Sequence, residues 1–147
     1  MLKEKYNALV EKAAADEEMG DVYLGALENC LASFSDYIMS IYNMEYLIPI
    51  MRYRLDGEEL RDYISGLDTR RRACHNAAIA SINMLHRLAN AVGAEPLTEE
   101  TFDGDNPVQR RAAANFCARM VMEIIYDQVS TGIDDAIDFL SEHKGKA

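Results

Sequence analysis

The sequence has no tryptophan, and only three prolines and eight glycines among its 147 residues. So few helix breakers leave room for long uninterrupted helices. Strict alternation of apolar and polar residues, the mark of a half-buried strand, is also missing. No apolar run approaches the roughly 20 residues a membrane span needs. The opening Met1-Leu2-Lys3-Glu4-Lys5-Tyr6 lacks the apolar stretch of a secretory signal. Cysteine is scarce as well: three, an odd number, each amid helical sequence. That excludes a disulfide framework and fits a reducing, cytoplasmic setting. Basic residues are in deficit, with 15 Lys and Arg against 25 Asp and Glu, a net charge of -10. Nucleic-acid binding rests on neutralising phosphates, so this balance argues against it. It argues equally against docking on anionic lipid.

Apolar residues make up 49% of the chain, enough to exclude disorder. The length predicts a single domain over 1–147. Within it, apolar residues recur at three- and four-residue spacing, which predicts an all-α fold. A first helix is expected over 2–15, with Leu2, Tyr6, Leu9 and Ala13 on one face. The acidic stretch before Gly20 is the expected break. A second helix, 21–48, carries the seam Leu24, Leu27, Leu31, Phe34, Ile38, Ile41, Glu45, Ile48 and should kink or end at Pro49.

The third helix is the longest, 57–92. Asp56 with Glu59 reads as a capping box, and Gly93 as the stop. Its seam steps through Leu60, Ile64, Leu67, Arg71, Cys74, Ala78, Ser81, Leu85, Leu88 and Val92. After an acidic loop, 94–105, Asn106-Pro107 opens a fourth helix that runs to about residue 129. Its inner face is expected to be Ala113, Phe116, Cys117, Met120, Val121 and Ile124. Ser130-Thr131-Gly132 should break or bend the chain before a short last helix with Ile133, Ile137 and Leu140 on one side. The residues from Gly145 onwards should fray.

These elements predict an antiparallel helical bundle with three long helices, completed by the short N- and C-terminal helices. Matched seams pair helices two and three as a hairpin. Counting from its loop sets Arg71 level with Asp36, so Arg71 should pair with Asp36 or reach outward to solvent.

The main candidate for chemistry is a polar stripe on the third helix. At roughly 100° per residue, Asp68, Arg72, His75, His86 and Asn90 fall within about 60° of one another, with Asn83 at the edge. Histidine titrates near neutral pH, and Asp68 is spaced to orient His75. Asn76 and Asn83 would act as orienting amides, and Arg72 would meet an anionic small ligand. The competing reading is the solvated flank that amphipathic helices ordinarily carry.

Other groupings are weaker. Arg70-Arg71-Arg72 and Arg110-Arg111 form a basic patch, but Asp68 is adjacent and intramolecular pairing is the simpler account. Cys30, Cys74 and Cys117 sit on three different helices without a Cys-x-x-Cys, which favours buried apolar roles over metal binding. The helically spaced acids Glu18/Asp21, Glu59/Asp62 and Asp135/Asp138 match those of magnesium-dependent nucleotide hydrolases only in spacing. Each pair lies near a helix start, where acids are favoured in any case. No phosphate loop, nucleophile elbow or zinc-protease motif is present. No metal or other cofactor is expected. A surplus of methionine, with Met39, Met44 and Met122 beside the seams, suits a homodimer face.

Arg54, Asp56-Gly57-Glu58, Leu67-Asp68, Arg71-Arg72 and His75-Asn76 are similar to a stretch found in small uncharacterised bacterial helical proteins grouped as a domain of unknown function. The resemblance covers about a fifth of the chain. It implies a prokaryotic helical protein and no particular activity. The reading from the residues is a non-enzymatic, homo-oligomeric protein-interaction module. The alternative is a small-molecule-binding or catalytic bundle built on Asp68, Arg72, His75 and His86.

Overall fold

The computed structural model describes residues 2–98, 102 and 106–143, without the side chains of 129–132 and 143. The described chain is all-α. Its helices are α1 (Leu2–Ala14), α2 (Gly20–Met51), α3 (Gly57–Val92), α4 (Pro107–Met120) and α5 (Tyr126–His143), with a π-helical segment, Val121–Ile125, joining the last two.

Local chemistry sets these boundaries. In the α1–α2 turn the Asp16 carboxylate accepts from the backbone N–H groups of Glu18 and Met19, at 3.0 and 2.7 Å. Gly20 then passes close to α1: a β-carbon there would lie 3.3 Å from the carbonyl oxygens of Ala13 and Ala14. The Asp56 side chain caps α3 by accepting from the Glu59 N–H. Gly93 ends α3 at φ 71°, a left-handed conformation that glycine adopts without strain. Asn106 caps α4 by accepting from the N–H groups of Val108 and Gln109, with Pro107 behind it in the first turn.

Two boundaries are settled by the backbone. α2 continues past Pro49 to Met51 and ends there, two residues later. Of the two alternatives at 130–132, a break does not occur: the backbone stays helical. The irregularity sits earlier, where the Tyr126 N–H donates to Val121, five residues back. The fraying expected from Gly145 onwards falls outside the described residues.

α2 and α3 form the longest contact. Cys30 donates its thiol to the Ser81 carbonyl, and Tyr37 meets His75. As numbers rise along α2 they fall along α3, so the pair is an antiparallel hairpin. α4 lies against α2 in the same opposed sense. Phe116 packs edge-on against Phe34 with ring centres 5.9 Å apart, and Gln128 lines a surface depression with Leu24 and Leu27 near the start of α2. α1 packs across α2, α3 and α4, burying Leu2, Tyr6, Leu9 and Ala13 as its pattern predicts. Lys12 donates to the Gly93 carbonyl at 2.7 Å, satisfying an acceptor at the α3 C-terminus.

The core is Leu9, Leu27, Phe34, Ile82, Leu85, Cys117 and Met120, with Leu97 and Phe102 closing one edge. It has a sharp limit. Ser40 is the last buried residue of α2 and His75 the first of α3, and none of residues 41–74 is buried. Beyond that limit the hairpin projects as a two-helix arm. α5 likewise departs from expectation. Asp127 in its first turn pairs with Lys3 of α1 at 3.0 Å, but α5 does not complete a fourth side: every side chain from 133 to 142 is exposed.

Candidate functional site

α3 distributes the polar stripe over three environments. Asp68 is half-buried near the root of the arm and accepts two bidentate guanidinium pairs. Arg71 binds Oδ1 through Nε and Nη2 at 3.3 and 2.9 Å, and Arg72 binds Oδ2 at 2.9 and 2.6 Å. Those hydrogen bonds hold the carboxyl below its ordinary range. Arg71 therefore pairs with Asp68 on its own helix and not with Asp36. Three- and four-residue spacing brings such partners together without fixing any cross-helix geometry. Asp36 instead lines a surface depression beside Arg70.

His75 turns away from Asp68 into the core margin. Its Nδ1 lies 3.1 Å from the Tyr37 hydroxyl, and the two rings meet edge-on with centres 5.2 Å apart. Nε2 is buried without a partner. Burial lowers the His75 pKa, and the nearby Arg71 and Arg110 add to that effect. Burial also raises the Tyr37 pKa. The pair is thus a neutral hydrogen bond sealing the outer end of the core. An imidazolium would place a second N–H in a pocket with no acceptor for it.

Farther along α3, Asn83 Oδ1 and His86 Nδ1 are buried and unpartnered, while Arg72 and Asn76 are exposed. His75 and His86 are eleven residues apart, about 16 Å along the helix. Among the described residues, no group of three or more His, Cys, Asp or Glu side chains is arranged to hold a metal ion. Cys30 and Cys117 are buried and Cys74 half-buried, all as free thiols. Burial raises the Cys30 pKa, and carries that of Cys117 up to about 12, which makes them poor nucleophiles.

The arm presents a second kind of surface. Met39, Tyr42, Tyr46 and Ile50 are each about half exposed. Their spacing places them within about 80° of arc on α2. Tyr42 and Tyr46 stack on each other at 5.7 Å, which holds the stripe flat. α5 carries its own stripe, Tyr126, Ile133, Ile137 and Leu140, exposed at 54 to 66%. The residues 39, 42, 46 and 50 step by three, four and four, so the α2 stripe is legible as a helical face. The stronger core seam on the same helix masks it. Tyr37, the partner of His75, carries no sequence signal that sets it apart from the other tyrosines.

Together these features define an all-α protein in which a packed body passes into a projecting, partly apolar hairpin arm. The chain belongs to the family described as Protein of unknown function (DUF3232), which matches residues 1–130. No curated protein and no solved structure matches the chain. Among the described residues, no helix is long and apolar enough to cross a membrane.

Proposed function

We propose that the chain is a non-enzymatic helical module that acts through protein–protein contact as a homo-oligomer, in the cytoplasm. The observation that carries this reading is the arm. Thirty-four consecutive residues, 41–74, include Ile41, Leu47, Ile48, Leu60, Ile64 and Leu67, yet none is buried within the chain. Half-buried aliphatic side chains lining a two-helix arm are a surface that association would cover. In this reading the antiparallel bundle of three long helices is finished by a partner over the arm. Native mass spectrometry of the purified chain tests it. An assembly at a multiple of 16.5 kDa without added mass is expected. A single-chain mass at every concentration overturns it.

A second reading keeps the α3 stripe as a small-molecule site using Asp68, Arg72, His75 and His86. It is supported by the three buried polar atoms without partners, His75 Nε2, Asn83 Oδ1 and His86 Nδ1, since such atoms seek a ligand or water. It requires a discrete added mass on the subunit that disappears in the His86→Leu variant.

A further inference from the structure

Away from the arm and from the α3 stripe, α1, α2 and the first turn of α5 enclose a depression of about 280 Å³. That is near the lower end of the roughly 300–1,000 Å³ of small-molecule pockets, so a ligand here would be small. Its apolar lining is Val10 from α1 with Leu24, Leu27 and Leu31 from α2. Those leucines step by three and four residues and so share one helical face. Its polar lining is Tyr6 and Asn7 from α1, Glu28 from α2 and Gln128 from α5.

These four polar side chains are unused by the fold. Tyr6 is only 5% exposed, yet its hydroxyl makes no hydrogen bond among the described residues. Burial pushes the phenol up to about 12, and Cys30 and Glu28 add to that, so it stays a neutral hydroxyl. Asn7, Glu28 and Gln128 likewise make no side-chain hydrogen bond or ion pair among the described residues. Glu28 is the one charged group of the lining, and the surrounding elements offer it no free cation. α2 contains neither Lys nor Arg, and the same holds for residues 126–142. All three lysines of α1 are engaged elsewhere. Asp127 holds Lys3 at 3.0 Å, Glu95 holds Lys5 at 3.5 Å, and Lys12 donates to the Gly93 carbonyl at 2.7 Å. A carboxylate, a phenol oxygen and two amide oxygens thus offer acceptors above an apolar floor, and an ammonium brings three donors. An anionic ligand would be repelled by Glu28. A wholly apolar one would cover the Tyr6 hydroxyl without giving it a partner.

We infer that this depression binds a small aliphatic primary amine, its ammonium held by Glu28 and Tyr6 with the amides of Asn7 and Gln128, and its stem laid on Leu24, Leu27 and Leu31. The site shares no residue with the arm or the α3 stripe. It therefore stands or falls apart from the homo-oligomeric reading.

Titration of the full isotope-labelled chain with three probes of one size tests it: n-butylammonium, n-butanol and butyrate. The readout is the side-chain amide resonances of Asn7 and Gln128, with those of Asn115 on α4 as an internal control. Butylammonium should shift the first two saturably and spare Asn115, with a Kd on the order of millimolar, as so few non-hydrogen atoms allow. Butanol should bind at least about tenfold more weakly, because it forgoes the charge-assisted bond to Glu28, and butyrate should not bind. Glu28→Gln should weaken the amine at least about tenfold and leave butanol unchanged. Glu28 is exposed, so helix content by circular dichroism should match the parent. Tyr6→Phe keeps the buried ring and should weaken the amine about threefold or more.

Several outcomes overturn the inference. Equal affinity for the three probes reduces the depression to an apolar patch without selectivity. Unsaturable shifts that include Asn115 mean only that the acidic surface attracts cations. A folded Glu28→Gln chain that binds butylammonium as the parent does removes the carboxylate from the site. No shift at Asn7 or Gln128 with butylammonium removes the site altogether, and the reading of the arm survives each of these results.

Discussion

The two halves of the α2–α3 hairpin share one helical geometry and differ in what covers them. At the body end, α1 and α4 close over the seam, and Leu27, Phe34, Ile82 and Leu85 are almost wholly removed from water. At the arm end the same three- and four-residue spacing continues through Ile41, Ile48, Ile64 and Leu67, and each remains partly exposed. Periodicity thus says which face of a helix is apolar, while burial depends on a third element arriving. α4 lies beside α2 at Ile38, Ile41 and Glu45, where Ala114 and Ala118 share a depression with them, yet no residue from 41 to 74 is buried. His75 and Tyr37 mark the junction, a polar pair placed where the core ends.

The strongest way to break this contrast is to truncate matching side chains on either side of it. Phe34→Ala removes a fully buried ring packed against Phe116 and should cost about 3–5 kcal/mol in urea unfolding. Ile64→Ala, on the half-buried arm, should cost about 1 kcal/mol or less in dilute monomer. Equal losses would mean that the arm is as well packed as the body.

Acid titration probes the junction itself. His75 has a lowered pKa in the fold, so below its unfolded value of about 6.5 the unfolded chain binds the proton more readily. Its neutral form therefore supports the fold fully above that pH, and the support declines as pH falls towards the depressed folded pKa. Thermal midpoints should drop between neutral pH and that point. The His75→Gln variant, which keeps a partner for Tyr37 without titrating, should drop less. An identical decline in both proteins would assign the acid sensitivity to other groups. Asp68, also lowered, contributes in a separate window, with its support lost as pH falls below the ordinary carboxylate range.

Smaller effects sharpen the picture. Asp56→Ala removes the α3 cap at the arm tip and should cost about 1 kcal/mol. Hydrogen exchange should show the loss mainly in the first turns of α3, since the arm is held by few buried contacts. Protection lost equally across the body would tie the arm to the global unfolding unit. Last comes Arg119→Ala, which breaks an exposed pair with Glu123 across the start of the π segment. A change of about 0.3–0.5 kcal/mol is expected in thermal unfolding. A larger one would mean that the pair stabilises the π segment itself.

Much of the local structure was legible. The Asp56 and Asn106 caps, the Gly93 stop, and the inner faces of α1 and α4 depend on neighbours within a few residues, and each follows from spacing. The polar stripe of α3 shows where that logic ends. Asp68, Arg72, His75 and His86 share one helical face, but α2 and α4 cover that face only at some levels. His75 is consequently buried against Tyr37, Arg72 stands in solvent, and Asp68 is taken by its own helix. The pairing of Arg71 with Asp36 failed for a related reason: a level map counted from the loop fixes height but not the direction a side chain takes. Spacing left open whether Ser130-Thr131-Gly132 breaks or only bends the chain; the backbone stays helical there, because a single glycine costs a helix only about 1 kcal/mol.

By itself, then, the sequence determined an all-α chain, its helix ends and the apolar face of each helix, since these arise from interactions along the backbone and within a turn. Tertiary structure alone decided which apolar faces are covered. That choice depends on where α1 and α4 come to rest, on contacts between residues far apart in the chain. It left the arm and the α5 stripe open to water, and it is there that the reading of this protein as an interaction module rests.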